Sequence, residues 1–264
     1  MITKLEDRAL VKVSGEDAVD FLQSQFSNDI KQIKEKEVQI NAYCQHQGKI
    51  LAVILVFKKS GNFYLSTPND VKEILLSKLN MFKLMSRVEI VDYSDKIYQY
   101  GLISEENDKS FKINDSLSIL ISREIFTNIH ASAQWEIACI HENLPEIHLI
   151  TTEKHIPQAL NLDVNQIGVS FSKGCYPGQE VVARMHYLGK PKRRLFRFTS
   201  KFEPFVGDSL DVNDSQSIKS SGQVIRVAKN NNSFLFLGVF EVAHTHDQIF
   251  LTNNQEKLVS LINE

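Results

Sequence analysis

The sequence predicts an α+β region followed by a small all-β domain. Up to about residue 190, amphipathic stretches of helical period alternate with short strand-like stretches in mixed order, which is typical of an α+β domain. From about Leu195 the pattern changes to short alternating strands between Gly, Asn and Ser turns, which indicates a β-barrel or sandwich. We therefore assign residues 1–188 to the α+β region and residues 189–264 to the β domain.

The first helix is predicted after a short strand that ends near Ser14. Ser14 is a favourable N-cap, and Asp17, three residues later, can complete a capping box. Apolar side chains then recur at helical spacing, so this helix should bury one face. The predicted face consists of Ala18, Phe21, Leu22, Gln25 and Phe26.

A hairpin and further elements follow in order. The apolar run Ile50–Phe57 is typical of a buried strand, with a partner strand before it and another, Phe63–Ser66, after a Ser-Gly-Asn turn. Residues 67–85 predict an amphipathic helix, residues 87–94 a strand, Glu105–Ser116 a loop, and residues 130–147 a helix that stops before Pro145. The predicted apolar face of the second helix is Val71, Ile74, Leu75, Leu79 and Phe82.

Composition and charge exclude several classes of protein. The chain of 264 residues has 30 basic and 32 acidic side chains, a net charge of −2, so no global positive field draws it to nucleic acid or to an anionic membrane. Its 42% hydrophobic and 23% charged residues are typical of a globular protein. Ile50–Phe57, the longest apolar run, is too short to span a bilayer, and the N-terminus has no apolar core of a secretory signal. We expect a cytoplasmic protein without a membrane partner.

The cysteine count predicts neither a disulfide framework nor a zinc finger. Cys44, Cys139 and Cys175 are odd in number and widely spaced, and no C-x-x-C occurs, which favours a reducing compartment. His244 and His246 are two residues apart but have no clear third ligand, so we predict no metal site.

Cys175 stands in a distinctive stretch, "SFSKGCYPGQEVVARMHYLGKPKRR". Gly174 and Gly178 frame Cys-Tyr-Pro, a composition that predicts a rigid loop presenting one side chain. Lys173 and a helix predicted to begin at Gln179 would both favour the thiolate, so Cys175 has the setting of a reactive or metal-binding thiol. The alternative is a structural cysteine packed in a tight turn.

A basic run follows the loop, with no acidic residue between Glu180 and Glu203. Such a run can hold phosphate or a polyglutamate tail, or follow an RNA backbone, and the alternative is a solvated linker with ordinary ion pairs. The aromatic residues within the run do not suggest a stacking platform. The basic residues are Arg184, Lys190, Lys192, Arg193, Arg194, Arg197 and Lys201, and the aromatic residues are Tyr187, Phe196 and Phe198.

No nucleotide-binding G-x-G-x-x-G or G-x-x-x-x-G-K-[ST] motif occurs, and neither does G-x-S-x-G or H-E-x-x-H. The stretch "KGCYPGQE" (Lys173–Glu180) instead resembles the K-G-C-Y-x-G-Q-E signature of YgfZ-type folate-binding proteins, relatives of the glycine cleavage T-protein, an aminomethyltransferase. The segments "VSGEDAVDFLQSQFSND", "NAYCQHQGKILAVILVF", "QWEIACIHENLPEI", "NLD" and "GKPKRRL" are similar to the family's in the same order. His141 and Asn143 depart from the arginine and glycine usual there.

This resemblance implies two similar α+β subdomains and a C-terminal β-barrel, arranged as a ring around a central hole that holds tetrahydrofolate. It implies a folate-binding accessory protein for iron–sulfur cluster assembly or repair, which supports tRNA modification indirectly. The implied partners are folate, iron–sulfur enzymes or cluster-assembly proteins, and tRNA. Cys175 and Lys173 are the candidate catalytic residues, and the candidate cofactor-binding residues are Tyr176, Gln179, Glu180, Arg184 and His141.

Two other functions remain open on the sequence. One is a tetrahydrofolate-dependent aminomethyltransferase or demethylase, which is the weaker reading because Asp29 is no clean match for the T-protein's catalytic aspartate. The other is a protein that binds tRNA directly through the basic run 184–201.

Overall fold

A computed structural model describes residues 1–105, 107–127, 129–212, 220–251 and 257–262. The helices are α1 (Ala18–Gln25), α2 (Lys72–Phe82), α3 (Ser132–His141) and α4 (Gln179–Leu188). The strands are β1 (Ile2–Lys4), β2 (Arg8–Ser14), β3 (Val38–Cys44), β4 (Ile50–Lys59), β5 (Asn62–Pro68), β6 (Glu89–Asp92), β7 (Tyr98–Ile103), β8 (Phe111–Lys112), β9 (Leu117–Ser122), β10 (Arg193–Ser200), β11 (Ser209–Val212), β12 (Gly222–Asn230), β13 (Ser233–Glu241), β14 (Ile249–Leu251) and β15 (Leu258–Leu261). Short 3₁₀ turns occur at Ile30–Gln32, Asn69–Val71, Leu149–Thr151, Pro157–Leu160, Val164–Gln166 and Val242–His244.

The strands form two open sheets and a closed barrel, and the named strands pair antiparallel throughout. The first sheet has the order β3-β4-β5-β2-β6, the second has the order β1-β7-β9-β8, and the barrel runs β10-β13-β12-β11-β14-β15 and closes back onto β10. The predicted fold class, α+β with a C-terminal β-barrel, is confirmed. The barrel's first strand begins at Arg193, and the exact domain boundary after residue 188 stays a prediction.

The strand β4 lies at the meeting point of three hydrophobic cores, which explains its unbroken apolar sequence. Ile54 and Val56 pack with α1 and α2, whereas Leu55 and Phe57 pack with the second sheet and α3. Val53 joins a third core that contains residues of α3, α4 and the barrel. Because both faces of β4 are buried, a polar residue at alternate positions would have no solvent to face.

The helix α3 connects the first sheet to the barrel through a buried network of charges. Arg226 of β12 is 1% exposed, and it donates hydrogen bonds from Nε to Glu136 (2.7 Å) and from Nη1 to the carbonyl of Leu144 (3.0 Å). Arg8 of the first sheet forms a buried ion pair with Glu146, which follows α3. The network therefore ties the first sheet, α3 and the barrel together, since a buried charge without its partner is strongly destabilising.

The predicted N-cap of α1 is wrong. Ser14 is the last residue of β2, and Asp17 occupies the N-cap position without a side-chain capping hydrogen bond. The Asp17 carboxylate instead accepts a hydrogen bond from the backbone N–H of Arg87 (2.8 Å), and this bond together with the Arg87 side chain lowers the Asp17 pKa. The predicted face of α1 is buried as expected.

Two further expectations are corrected in detail. Val71, Leu75 and Leu79 are buried, but Phe82, the last residue of α2, is 51% exposed because the helix ends beyond the core. The predicted loop Glu105–Ser116 contains the short strand β8, which pairs with β9, while Glu106 lies outside the described residues. The predicted hairpin and the helix before Pro145 are confirmed.

Candidate functional site: a central cavity and a cysteine loop

Two adjoining cavities lie where the two sheets and the barrel meet. One has a volume of about 350 Å³ and the other about 590 Å³, and Glu142, Asn143 and Ile167 line both of them. The smaller is further lined by Gln32, Ile33, Lys34, Glu37, Val38, Gln39, Ile40, Ile113, Asn114 and Leu144. The larger is further lined by Asn161, Val164, Asn165, Leu195, Phe196, Arg197, Val242, Thr245, His246, Leu261 and Ile262. Together these two spaces form what we call the central cavity.

The end of α3 places a carboxylate and an amide at the middle of the central cavity. Asn143 has the left-handed φ of 51°, and the backbone N–H groups of Asn143 and Leu144 donate to the carbonyls of Ile140 and Cys139. This is a Schellman motif, which needs a residue that tolerates positive φ, and asparagine is the commonest replacement for glycine there. Asn143, which stands where the family usually has glycine, is therefore compatible with this turn. The turn places Glu142 in the lining of the cavity.

The side chains that line the central cavity are about half apolar and half polar or charged. Leu195, Phe196 and Leu261 line one side, and Glu142 accepts a hydrogen bond at Oε2 from Asn114 Nδ2 (2.8 Å). No hydrogen bond to Glu142 Oε1 is present among the described residues. Ligand sites in proteins are typically concave, mostly apolar and a few hundred Å³ in volume, with a small number of convergent polar groups. The central cavity is concave and of this volume, and its lining is more polar than that of a typical ligand site.

The second feature is the cysteine loop, which we define as residues 170–178. Lys173 is only 8% exposed, and its ammonium group donates to the carbonyls of Gln23 (2.5 Å), Phe26 (2.5 Å) and Asn28 (3.1 Å). An ammonium group has three donors, so these carbonyls at the end of α1 occupy all of them. Burial lowers the pKa of Lys173 to about 8.

The other end of the cysteine loop rests on the turn between β3 and β4. Gly178 has a φ of +82°, and a Cβ there would lie 2.5 Å from the carbonyl oxygen of Gln45 and 2.6 Å from the Cα of Gly48. Only glycine fits both the conformation and the close approach. Tyr176 is buried, and burial raises the pKa of its phenol. Cys175 is therefore held between two anchors.

The three cysteines differ sharply in accessibility. All three are free thiols, but Cys44 and Cys139 are buried whereas Cys175 is exposed. Burial raises the pKa of Cys44 and of Cys139 to about 12, so neither forms a thiolate at neutral pH. Cys175 is the thiol that a partner can reach.

The candidate site residues divide between the two features. None of Lys173, Cys175 and Tyr176, nor Gln179, Glu180 and Arg184 of α4, lines the central cavity, and these side chains lie in the cysteine loop or on the helix that follows it. His141 is exposed at the end of α3, and its carbonyl accepts a hydrogen bond from Arg197 (3.2 Å). Their roles stay predictions.

A hydrogen-bonded bridge connects the cysteine loop to the central cavity. Asn28, whose carbonyl binds Lys173, donates from Nδ2 to the carbonyls of Ile40 (3.1 Å) and Ile167 (3.2 Å), and both of these residues line the cavity. These hydrogen bonds join the backbone of the cysteine loop's anchor to the wall of the cavity. Reasoning from the sequence did not select Glu142 or Asn114, although Glu142 stands within the segment that resembles the family's tryptophan helix.

Two arginines of the basic run form ion pairs with acidic residues of the protein. Arg193 pairs with Glu241 (2.9 Å), and Arg194 pairs with Asp163 (2.5 Å).

His244 contacts Asp247 through Nδ1 (2.7 Å), and among the described residues no group of three or more His, Cys, Asp and Glu side chains is arranged to hold a metal ion. No helix in the described part of the chain is long and apolar enough to cross a membrane.

Known proteins resemble the chain in sequence and in fold, although no family model matches it. An uncharacterised protein of Haemophilus influenzae is 33% identical over 241 residues, which cover 87% of this chain and 85% of that protein. The tRNA-modifying proteins YgfZ of Colwellia psychrerythraea and Aliivibrio fischeri are 28% and 25% identical, over 79% and 97% of this chain and 75% and 86% of theirs. The crystal structure of the glycine cleavage system aminomethyltransferase T of Bartonella henselae matches the fold with a TM-score of 0.70 at 13% identity, over 100% of this chain and 84% of that one.

The sheets, the C-terminal barrel and the cavity between them define the chain as a protein with the T-protein fold. Within that fold, the sequence relatives that carry the name YgfZ identify the chain as YgfZ-type.

Proposed function

We propose that the chain is a folate-binding accessory protein that supports tRNA modification through the assembly or repair of iron–sulfur clusters. The single observation that carries the folate part is the central cavity, in which a carboxylate and amides converge between apolar walls. The names of the YgfZ relatives support the link to tRNA modification. The three free cysteines agree with a cytoplasmic, reducing location.

The residues of the central cavity fit a tetrahydrofolate. Its pterin ring carries several N–H donors on a flat heterocycle, and Glu142 offers an acceptor oxygen between apolar surfaces such as Phe196 and Ile167. Asn143 and Asn161 supply further polar groups at the rim of these surfaces. When bound, tetrahydrofolate would supply one-carbon carrier chemistry. The chain's own contribution would be to bind and orient it.

Calorimetric titration with tetrahydrofolate tests this assignment. We expect binding by the wild-type chain and binding weakened by roughly tenfold or more in Glu142→Gln, because a hydrogen bond to a charged acceptor contributes about 1.5–3 kcal/mol. Glu73→Gln, on the exposed side of α2, removes the same charge elsewhere and should bind as the wild type does. Absence of binding by the wild type would contradict the proposal.

For the cluster-related part, Cys175 is the candidate group. Its thiol is exposed at the centre of a loop that is anchored at both ends, so it can act as a transient thiol ligand or a redox-active thiol for a partner protein. In cells that lack the wild-type gene, Cys175→Ala should fail to restore iron–sulfur enzyme activity, whereas Ser172→Ala, an exposed neighbour, should restore it. Full activity with Cys175→Ala would exclude this role.

Aminomethyl transfer finds less support in the structure. The Asp29 carboxylate caps the turn Ile30–Gln32, where it accepts hydrogen bonds from the Lys31 backbone (3.1 Å), Gln23 Nε2 (3.0 Å) and Gln32 Nε2 (2.9 Å). These three hydrogen bonds give the Asp29 carboxylate a local structural role, which accounts for its position without a catalytic one. Turnover of tetrahydrofolate with an aminomethyl or N-methyl donor would nevertheless establish a transferase.

A further inference from the structure

The C-terminal end of α4 carries a cluster of aromatic rings that the sequence alone did not reveal. The rings of Phe171 and His186 stack with centroids 3.7 Å apart and an interplanar angle of 14°. The Tyr187 ring meets His186 edge-on at 4.9 Å and Phe171 at 6.1 Å. Phe171 lies at the start of the cysteine loop and the other two rings lie on α4 after it, so the fold of the loop brings the cluster together.

This cluster is open to solvent. Tyr187 is 67% exposed and Leu188 is 84% exposed, whereas Tyr43, Tyr100 and Tyr176 are buried. Aromatic and large apolar side chains that are exposed together mark surfaces that bind something, because leaving them in water costs free energy.

The charges beside the cluster are positive. Lys190 and Lys192 follow α4 directly, and Arg184 lies one turn before Leu188. None of these three side chains forms a salt bridge with an acidic residue among those described, unlike Arg193 and Arg194. Basic side chains next to exposed aromatic rings complement an anionic partner that carries planar rings.

We propose that this α4 tip, made of Phe171, His186, Tyr187, Leu188, Lys190 and Lys192, binds unpaired nucleotides of an RNA. Tyr187 and His186 stack on bases, and the two lysines contact phosphates. Stacking platforms beside a basic track are how proteins hold single-stranded nucleic acid without reading its sequence. Phe171 and His186 already stack face to face, and a ring pair of this kind offers a flat surface on which a nucleobase can stack.

The position of the α4 tip gives this binding a consequence. Phe171 belongs both to the α4 tip and to the cysteine loop, where it stacks on His186 of α4. RNA held at the tip would therefore lie against the segment that carries Cys175. The proposal extends the proposed function to direct RNA contact and does not depend on the folate site, since the α4 tip shares no residue with the central cavity.

Fluorescence anisotropy with a labelled oligouridine and with an unmodified tRNA transcript tests the proposal on the full chain. At about 50 mM salt we expect Tyr187→Ala to weaken oligouridine binding at least about fivefold and Tyr187→Phe to retain it, because stacking needs only the ring. Lys190→Gln with Lys192→Gln should lower the magnitude of the slope of log affinity against log salt by about 1.4, as expected for two phosphate contacts to a single strand.

The controls separate the outcomes. Lys83→Gln with Lys229→Gln removes the same charge on α2's end and on β12 and should bind RNA as the wild type does. Equal affinity of Tyr187→Ala and wild type, tighter binding of an RNA duplex than of oligouridine, or no binding at low salt would each overturn the proposal. Tetrahydrofolate titration of Tyr187→Ala should match the wild type, so a failure of RNA binding is distinguishable from a failure of the folate assignment.

Discussion

The central cavity and the cysteine loop are built in opposite ways. The cavity is assembled from residues distant in sequence, with walls from both sheets, α3 and the barrel, and polar groups that converge inwards. The cysteine loop is one continuous segment whose anchors, Lys173 and Gly178, face the protein and whose functional candidate, Cys175, faces solvent. The comparison indicates that much of a family signature can consist of residues that hold one side chain in place.

The largest expected effect comes from filling the close contact under the loop. Gly178→Ala should lower the free energy of unfolding by about 2–5 kcal/mol, since a left-handed conformation costs a non-glycine residue about 1–2 kcal/mol and overpacking costs about 1–3 kcal/mol more. Gly174→Ala is the matched control, because a Cβ there has no atom within 4 Å. Urea unfolding measures both, and equal stability of the two variants would show that the β3–β4 turn does not anchor the loop.

The second effect concerns the other anchor. Lys173→Met should lower the free energy of unfolding by about 2 kcal/mol at neutral pH, because it leaves the three carbonyls at the end of α1 without their donor. Lys229→Met, an exposed lysine of β12, should change it by less than about 0.5 kcal/mol. If both variants lose the same amount, Lys173 is free to act on a substrate rather than serving as an anchor.

A pH series sharpens this prediction. Burial lowers the pKa of Lys173 from 10.5 to about 8, so between these values the unfolded chain holds a proton that the folded chain has released. Stability rises with pH wherever the unfolded state binds more protons. The stability difference between wild type and Lys173→Met should therefore be constant below about pH 7 and grow between pH 8 and 10. A difference that shrinks over that window would contradict the burial of the ammonium group.

The smallest expected effect is measured by chemical modification, which leaves the fold intact and compares the reactivity of the three thiols. In the native protein, iodoacetamide should modify Cys175 much faster than Cys44 or Cys139, which are 1% and 0% exposed. Mass spectrometry of the modified peptides reports each site, and denaturation in urea should make all three react. Rapid native modification of Cys44 or Cys139 would show that the cores around them open.

Several features could be predicted from local sequence. Regular patterns predicted α2, α3, the hairpin of β3, β4 and β5, and the change to barrel strands, because hydrophobic period reports which faces are buried. The capping of α1 could not be predicted, because the Asp17 carboxylate accepts a hydrogen bond from the backbone of Arg87, a residue distant in the chain. The residues that line the cavity could not be predicted either, because they come from distant parts of the chain and show no regular spacing in the sequence.

For this protein, then, the sequence by itself determined the main helices, the β3–β5 hairpins, the change to barrel strands, the family signature and the glycines on either side of Cys175, all of which depend on backbone conformation and local pattern. Only the tertiary structure decided that Lys173 faces α1, that Glu142 meets Asn114 in the cavity, and that Phe171 joins His186 and Tyr187. The physical reason is that a side chain's role follows from the partners that packing brings to it, and those partners come from distant parts of the chain.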